Sequence, residues 1–504
     1  MSGAERPEVE DVFKRLTQRF VLNEYEIKDD LDVFVAFETM NNRGKPLSRL
    51  ELLKNHLIYL STLIQATDQQ RLNLRRNIND AWKTIYEFLG KERGQPLEDD
   101  EFLRAHWIMY FRYAREQAEQ YAIFLLNEHF TAARATNGTL TADELQKYVS
   151  SIQEASRAWY AVNFPANAQQ LDSRVRDKLD CLGRVGPGAF GPLAMTALVK
   201  HLPPSDIAQL LVEAERFTFL VSKLCRRKSD TGDSEFYRLA GAVFRDEATL
   251  TDAIAAIRQR TEKHFSWDTA QYEMKQLFED QNGSGFYGWV GLSHLLFEYE
   301  LELKARSGAA TSKINWKEFT EDKKDYVTIE HIFPQSPEPN EWAAFTPLDE
   351  TQRRFLLNSL GNLLALARKK NSSLQNRPFR EKVRNADGTV GYFNGSYSEI
   401  EVSGQPDWTP RQILDRGTRL LDFLEQRWNI RFADRGEKLR FLHLDFMEDE
   451  WTKKLPSGET ISYTLHCEPG AGGFVTASKG SIKRTVAVKA SLTRDQVEAE
   501  FRNI

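Results

Sequence analysis

Residues 327–336 read VTIEHIFPQS, and residues 357–382 read LNSLGNLLALARKKNSSLQNRPFREK. Glu330 and His331 are adjacent at the end of a short β-like run, which Pro334 closes because proline cannot donate to a strand ladder. In a regular strand the two side chains point to opposite faces, so both reach one site only where the strand ends or twists. Asn362 lies in LGNLLAL and Asn371 in KKNSS. Between Leu366 and Arg384, seven Lys or Arg residues stand against one acid, Glu381. A Glu-His dipeptide alone is an ordinary surface feature, and a basic block alone is an ordinary solvated helix face. Their coincidence with two asparagines calls for a chemical reading.

These residue types suit hydrolysis of a phosphodiester. That reaction needs an activated water, neutralised phosphate charge and help for the leaving oxygen. Neutral imidazole is available near pH 7, so His331 is the candidate general base. Glu330 and Asn371 offer hard oxygen ligands suited to one Mg²⁺ or Mn²⁺ ion. Asn362 is expected to hold the loop that carries His331, since a side-chain amide can pin backbone. Lys369, Lys370, Arg380 and Lys382 are expected to contact flanking phosphates.

Composition bounds the rest. At 504 residues the chain is long enough for two to four domains. Its 41% hydrophobic and 28% charged content is that of a globular protein. No apolar run approaches the ~18 residues of a membrane span, and the first residues hold no apolar signal core, so a cytoplasmic location is expected. The net charge of −5 argues against a uniformly basic nucleic-acid binder and leaves the local block to carry any such contact. Cys181, Cys225 and Cys467 are far apart and form no CxxC pair, which argues against a disulfide framework or a structural zinc site. The GPGAFG stretch at 186–191 matches GxGxxG only formally, because a polar helical pattern and not a buried strand precedes it.

Along the chain, residues 19–27 alternate like a strand and Asp32 to Met40 read as a helix. Ser48 with Glu51 forms a capping box opening a helix to about Ile64. From Gln69 to Arg306 the pattern is almost wholly helical, including one run over Glu101–Asn127 and another over Tyr287–Ala305, with caps expected at Thr141, Ser205 and Thr251. Thr409 to Trp428 is amphipathic, with Ile413, Leu420, Leu421 and Leu424 on its apolar side. From Lys438 onward LRFLHLDF, TISYTLHC, GGFVTAS and RTVAVKASL read as short strands. His443 and His466 are single histidines there and carry no site.

IEHIFPQS, Trp342, SLGNLLAL, KKNSSLQN and FREK together resemble the ββα-metal (HNH) nuclease domain of GmrSD-type, modification-dependent (type IV) restriction endonucleases. The resemblance implies His331 as general base, Asn371 as metal ligand and Thr409–Trp428 as closing helix. The wider HNH group has Asp where this chain has Glu330, which resembles the pattern of the GmrSD type. Separately, VAFETMNNRGKPLSRLELLKN (35–55) is similar to the later motif of that family's ParB-like nucleotide-dependent domain, with Phe37, Asn41, Gly44 and Leu47 matching. The earlier DGQQR-type motif does not precede it here, so NTP hydrolysis is not carried over, and a partner chain supplying that part would dock near residues 20–60.

The expected fold is α+β and mostly helical: a ParB-like remnant at 1–65, a helical domain at 66–306, an HNH domain at 314–432 and a small β-rich region at 433–504. The expected function is a metal-dependent DNA endonuclease of a phage-defence system, acting on double-stranded, modified phage DNA. The alternative is a non-catalytic regulatory subunit that is active only with a partner chain.

Overall fold

The computed structural model describes residues 9–19, 47–280, 283–316, 327–338, 340–447, 450–468, 472–488 and 498–501. The strand and helix expected within 20–46, and with them Phe37, Asn41 and Gly44, lie outside the described residues. The chain divides into two compact units. The first comprises Met1–Asn163, Met195–His201 and Ala240–Arg245, and the second comprises Phe164–Ala194, Leu202–Leu239 and Asp246–Ile504.

In the first unit, α1 (Val9–Gln18) is followed by α2 (Arg49–Leu63), α3 (Asp68–Leu89), α4 (Asp99–Tyr110) and α5 (Ala142–Asn163). Ser48 and Glu51 form the capping box at the start of α2. Leu50, Leu53, Leu57 and Leu60 recur at helical spacing and are fully buried, each worth about 1.5–3 kcal/mol of hydrophobic transfer. Trp82 of α3 is buried with them and donates its indole N–H to the Leu50 carbonyl at 3.2 Å. The helix expected over Glu101–Asn127 instead breaks at Phe111, whose backbone is extended. The break lets Tyr113, Tyr121 and Phe124 fold back onto the Trp107 ring, at 5.8, 6.1 and 6.3 Å. Aromatic packing beyond the reach of local periodicity decides this segment.

In the second unit, α6 (Ser173–Val185), α7 (Pro204–Phe217), α8 (Leu250–His264), α9 (Trp267–Glu279) and α10 (Leu292–Ser307) precede β1 (Val327–His331). Thr249, not Thr251, caps α8, and Ser205 lies inside α7 after Pro203 and Pro204. α11 (Glu350–Asn358) then leads to β2 (Leu363–Ala367), which pairs antiparallel with β1 so that Glu330 faces Leu364 and His331 faces Leu363. α12 (Arg368–Leu374) follows β2 without a gap, and α13 (Phe379–Val383) and α14 (Tyr397–Ser403) follow it. α15 (Pro410–Trp428) opens with a capping box from Thr409 to Gln412 and buries Ile413, Leu420, Leu421 and Leu424.

The run LRFLHLDF is not a strand. Its first four residues end α16 (Arg435–Leu442), where Asp434 accepts the Glu437 amide and Leu439, Phe441 and Leu442 are buried. His443 ends that helix in the left-handed region and stacks on Phe278 at 4.2 Å. Beyond it, β3 (Glu450–Lys454), β4 (Thr460–Glu468), β5 (Gly472–Lys479) and β6 (Ile482–Val488) form an antiparallel meander. Ile461, Tyr463, Val475, Ala477 and Phe501 make its core.

Candidate active site

His331 is the last residue of β1 and is 7% exposed. Its Nε2 lies 3.2 Å from Asn358 Oδ1, and its ring centroid lies 4.6 Å from that of Tyr287. Burial pushes its pKa down to about 4; the Asn358 hydrogen bond opposes that shift and the Lys382 charge adds to it. The imidazole is therefore neutral at physiological pH, the form that can accept a proton.

The backbone just past His331 is held from below by Asn362. Asn362 Oδ1 accepts from the Phe333 amide at 2.7 Å and from the Trp408 indole at 3.1 Å; its Nδ2 donates to the Phe333 and Leu357 carbonyls at 2.9 Å each. Arg416 of α15 is fully buried, and its Nη1 donates to the Gly361 and Leu363 carbonyls at 2.8 Å each. Gly361 packs so closely on the Ile413 carbonyl and the Gly417 amide that any Cβ would collide with them. The closing helix thus fixes both backbone neighbours of Asn362.

Glu330 takes the other face of β1. Its Oε1 lies 2.5 Å from Lys382 Nζ, and the same ammonium donates to the His331 and Ile332 carbonyls at 3.0 and 3.1 Å. Burial raises the Glu330 pKa and lowers that of Lys382, against their mutual attraction. Thr328, two residues back and therefore on the Glu330 face, accepts from Asn371 Nδ2 at 2.8 Å. A cavity of about 450 Å³ is lined by Tyr287, Glu330, His331, Arg368 and Asn371 among others. Gln375, also in its wall, has φ of +41°, a strain of order 1–3 kcal/mol for a side chain other than glycine.

The lining of this cavity offers a hard divalent cation the amide oxygen of Asn371, with room for waters, and the Glu330 carboxylate would join it only by leaving its Lys382 ion pair. Lys382 already neutralises the Glu330 charge, so such an ion would draw its remaining negative ligands from a bound phosphate. A second cluster, Cys181, His294 and Glu298, brings potential ligand atoms within 4.8 Å of one another. It does not fit a metal. Arg184 and Arg427 pair with Glu298, Arg427 Nη2 lies 3.2 Å from Cys181 Sγ, and His294 Nε2 is 2.8 Å from Glu215. Two guanidiniums hold the atoms a cation would need.

The four expected phosphate contacts separate. Lys369 and Arg380 are exposed. Lys370 instead pairs with Glu399 at 2.6 Å and donates to the Gly391 carbonyl at 3.1 Å. Lys382 is fully buried, so its ammonium supports β1 and does not face a ligand. Asn358, Tyr287 and Arg368 join the site without having been singled out individually. Nothing local marks Asn358 or Tyr287, because their partners lie far away in the sequence.

Among the described residues no helix is long and apolar enough to cross a membrane. No curated protein and no solved structure matches the chain. Residues 273–423 match the family model described as GmrSD restriction endonucleases, C-terminal domain. That stretch runs from α9 through β1, β2 and α12 into α15 and contains every residue of the cavity named above. Over residues 273–423 the chain is thus similar to the C-terminal domain of GmrSD restriction endonucleases.

Proposed function

We propose that this chain is a metal-dependent DNA endonuclease of the HNH type, belonging to a restriction system that acts on modified phage DNA. One observation carries the reading: a buried, neutral histidine at a strand end lines the same cavity as Glu330, Asn371 and Arg368. His331 takes a proton from the attacking water, which general-base catalysis rewards with about 10²–10⁴ in rate. Arg368 in the cavity wall and the exposed Lys369 and Arg380 hold the scissile and flanking phosphates. Glu330 and Asn371 would hold Mg²⁺ or Mn²⁺, which supplies charge stabilisation on the phosphate and leaving oxygen when bound. Asn362 keeps the His331 loop in place and touches no substrate.

The test is nicking of plasmid DNA, modified and unmodified, by the full-length chain with Mg²⁺ or Mn²⁺. His331→Ala should abolish nicking with DNA affinity nearly intact, and undiminished nicking by that variant would sink the assignment. The Glu330–Lys382 ion pair favours a second reading, a subunit whose metal site opens only with a partner chain. Cleavage that appears only on adding the product of a neighbouring gene would select it.

A further inference from the structure

His331 is not held by the two strands alone. The turn between α9 and α10 reaches it twice: through the Tyr287 ring and through the Gly283 carbonyl by way of Asn358. The hydrogen-bond chain has a direction. A carbonyl oxygen only accepts, so the Asn358 amide nitrogen, 2.9 Å from Gly283 O, must be the donor there. Asn358 Oδ1 is then the atom facing His331, and it too only accepts, so Nε2 must carry the hydrogen. The lone pair is left on Nδ1.

We infer that Asn358, oriented by the Gly283 carbonyl, is the positioning residue that fixes His331 in its Nε2–H form and so makes Nδ1 the nitrogen that accepts the proton. This rests on the nuclease reading above and adds to it which nitrogen acts and what selects it. When the proton arrives, the imidazolium keeps its Nε2–H bond to Asn358 Oδ1, so no partner has to reorganise during the step.

Residues 283–289 of the turn are closely packed. Gly283 and Gly285 take positive φ of +53° and +50°. A Cβ on Gly285 would meet the Phe278 ring and, at 3.0 Å, the Asn358 Cβ, so only glycine lets the turn lie against Asn358. Phe286 is fully buried between Phe278, Trp289 and Phe441, and the Trp289 indole donates to the Lys223 carbonyl at 2.7 Å. The base is thereby referenced to the helical part of its unit. The family match agrees in extent, since it begins at 273 and takes in the whole turn.

The experiment uses the full-length chain isotope-labelled on its histidine nitrogens, with His331→Gln identifying the His331 signals. The expected result is a neutral His331 with hydrogen on Nε2, and loss of that single form in Asn358→Leu. In nicking assays Asn358→Leu should lower kcat on the order of 10²-fold with KM unchanged. Asn358→Asp keeps an acceptor but loses the donor to Gly283 and sets a carboxylate oxygen against that carbonyl, so it should also lose the single Nε2–H form and most of kcat. A folded Asn358→Leu that keeps the single Nε2–H form overturns the proposal. So does a wild-type His331 with hydrogen on Nδ1. The expected nitrogen signals from a protein that cuts no DNA would uphold the positioning chain and overturn the nuclease reading instead.

Discussion

Asn362 and Phe333 exchange two hydrogen bonds, the side-chain oxygen accepting from the Phe333 amide at 2.7 Å and the side-chain nitrogen donating to its carbonyl at 2.9 Å. A side chain here does what a neighbouring strand would do, just where β1 has ended and backbone partners run out. His331 sits two residues before Phe333, so the position of its ring inherits the precision of this contact.

Asn362→Ala should therefore cost stability as well as activity. It strands the Phe333 amide and carbonyl, the Leu357 carbonyl and the Trp408 indole in a buried setting, at about 1–3 kcal/mol for each group that water does not reach. A loss of about 3 kcal/mol or more is expected from denaturant unfolding, with nicking reduced in proportion to what remains folded or further. A loss under about 1 kcal/mol would show that the loop has other support.

Lys382→Met leaves the Glu330 carboxylate buried without its cation. Breaking a buried pair from one side costs about 3–5 kcal/mol, so thermal unfolding should move down by many degrees. Adding Glu330→Gln should recover part of that loss, because the stranded charge is then gone. Full stability in the single variant would contradict the burial described above.

DNA affinity divides the basic residues by exposure. Each phosphate contact removed should flatten the dependence of log affinity on log salt by about 0.9. Lys369→Ala and Arg380→Ala are each expected to show this in binding titrations across salt concentrations. Lys370→Ala should leave the slope unchanged, since its ammonium is engaged by Glu399. A flattened slope for Lys370→Ala would place that residue back on the DNA side.

His106 predicts a pH dependence in the first unit. Burial pushes its pKa down to about 3, from an unfolded value near 6.5. The unfolded chain thus binds a proton that the folded chain refuses. The stability His106 contributes is complete above pH ~6.5 and is lost as pH falls toward 3, at about 1.4 kcal/mol per pH unit between those limits. His106→Phe should make unfolding free energy between pH 5 and 6 shallower by about that amount. An unchanged slope would mean that another group carries the acid sensitivity.

What local order can specify was legible from the residues themselves. The Ser48 capping box, the buried leucines of α2 and the apolar side of α15 are set by contacts within four positions, and a single chain records those. Glu330, His331, Asn362 and Asn371 stood out because their types and spacing lie within two short stretches. The LRFLHLDF run was not decidable in that way: so short an apolar-rich run fits a strand or a helix, and the Asp434 cap with burial of Leu439, Phe441 and Leu442 selected the helix for its first half.

Tertiary structure alone decided the work of the lysines and the setting of the base. In the sequence, Lys369 and Lys382 are the same letter in one basic block, yet one meets water and the other lies fully buried against Glu330 and two carbonyls. Gly283 and Asn358 are 75 positions apart, and only folding brings them to 2.9 Å. The physical reason is common to both. Desolvation and long-range hydrogen bonding depend on what packs around a group, and neighbours along the chain carry no record of that.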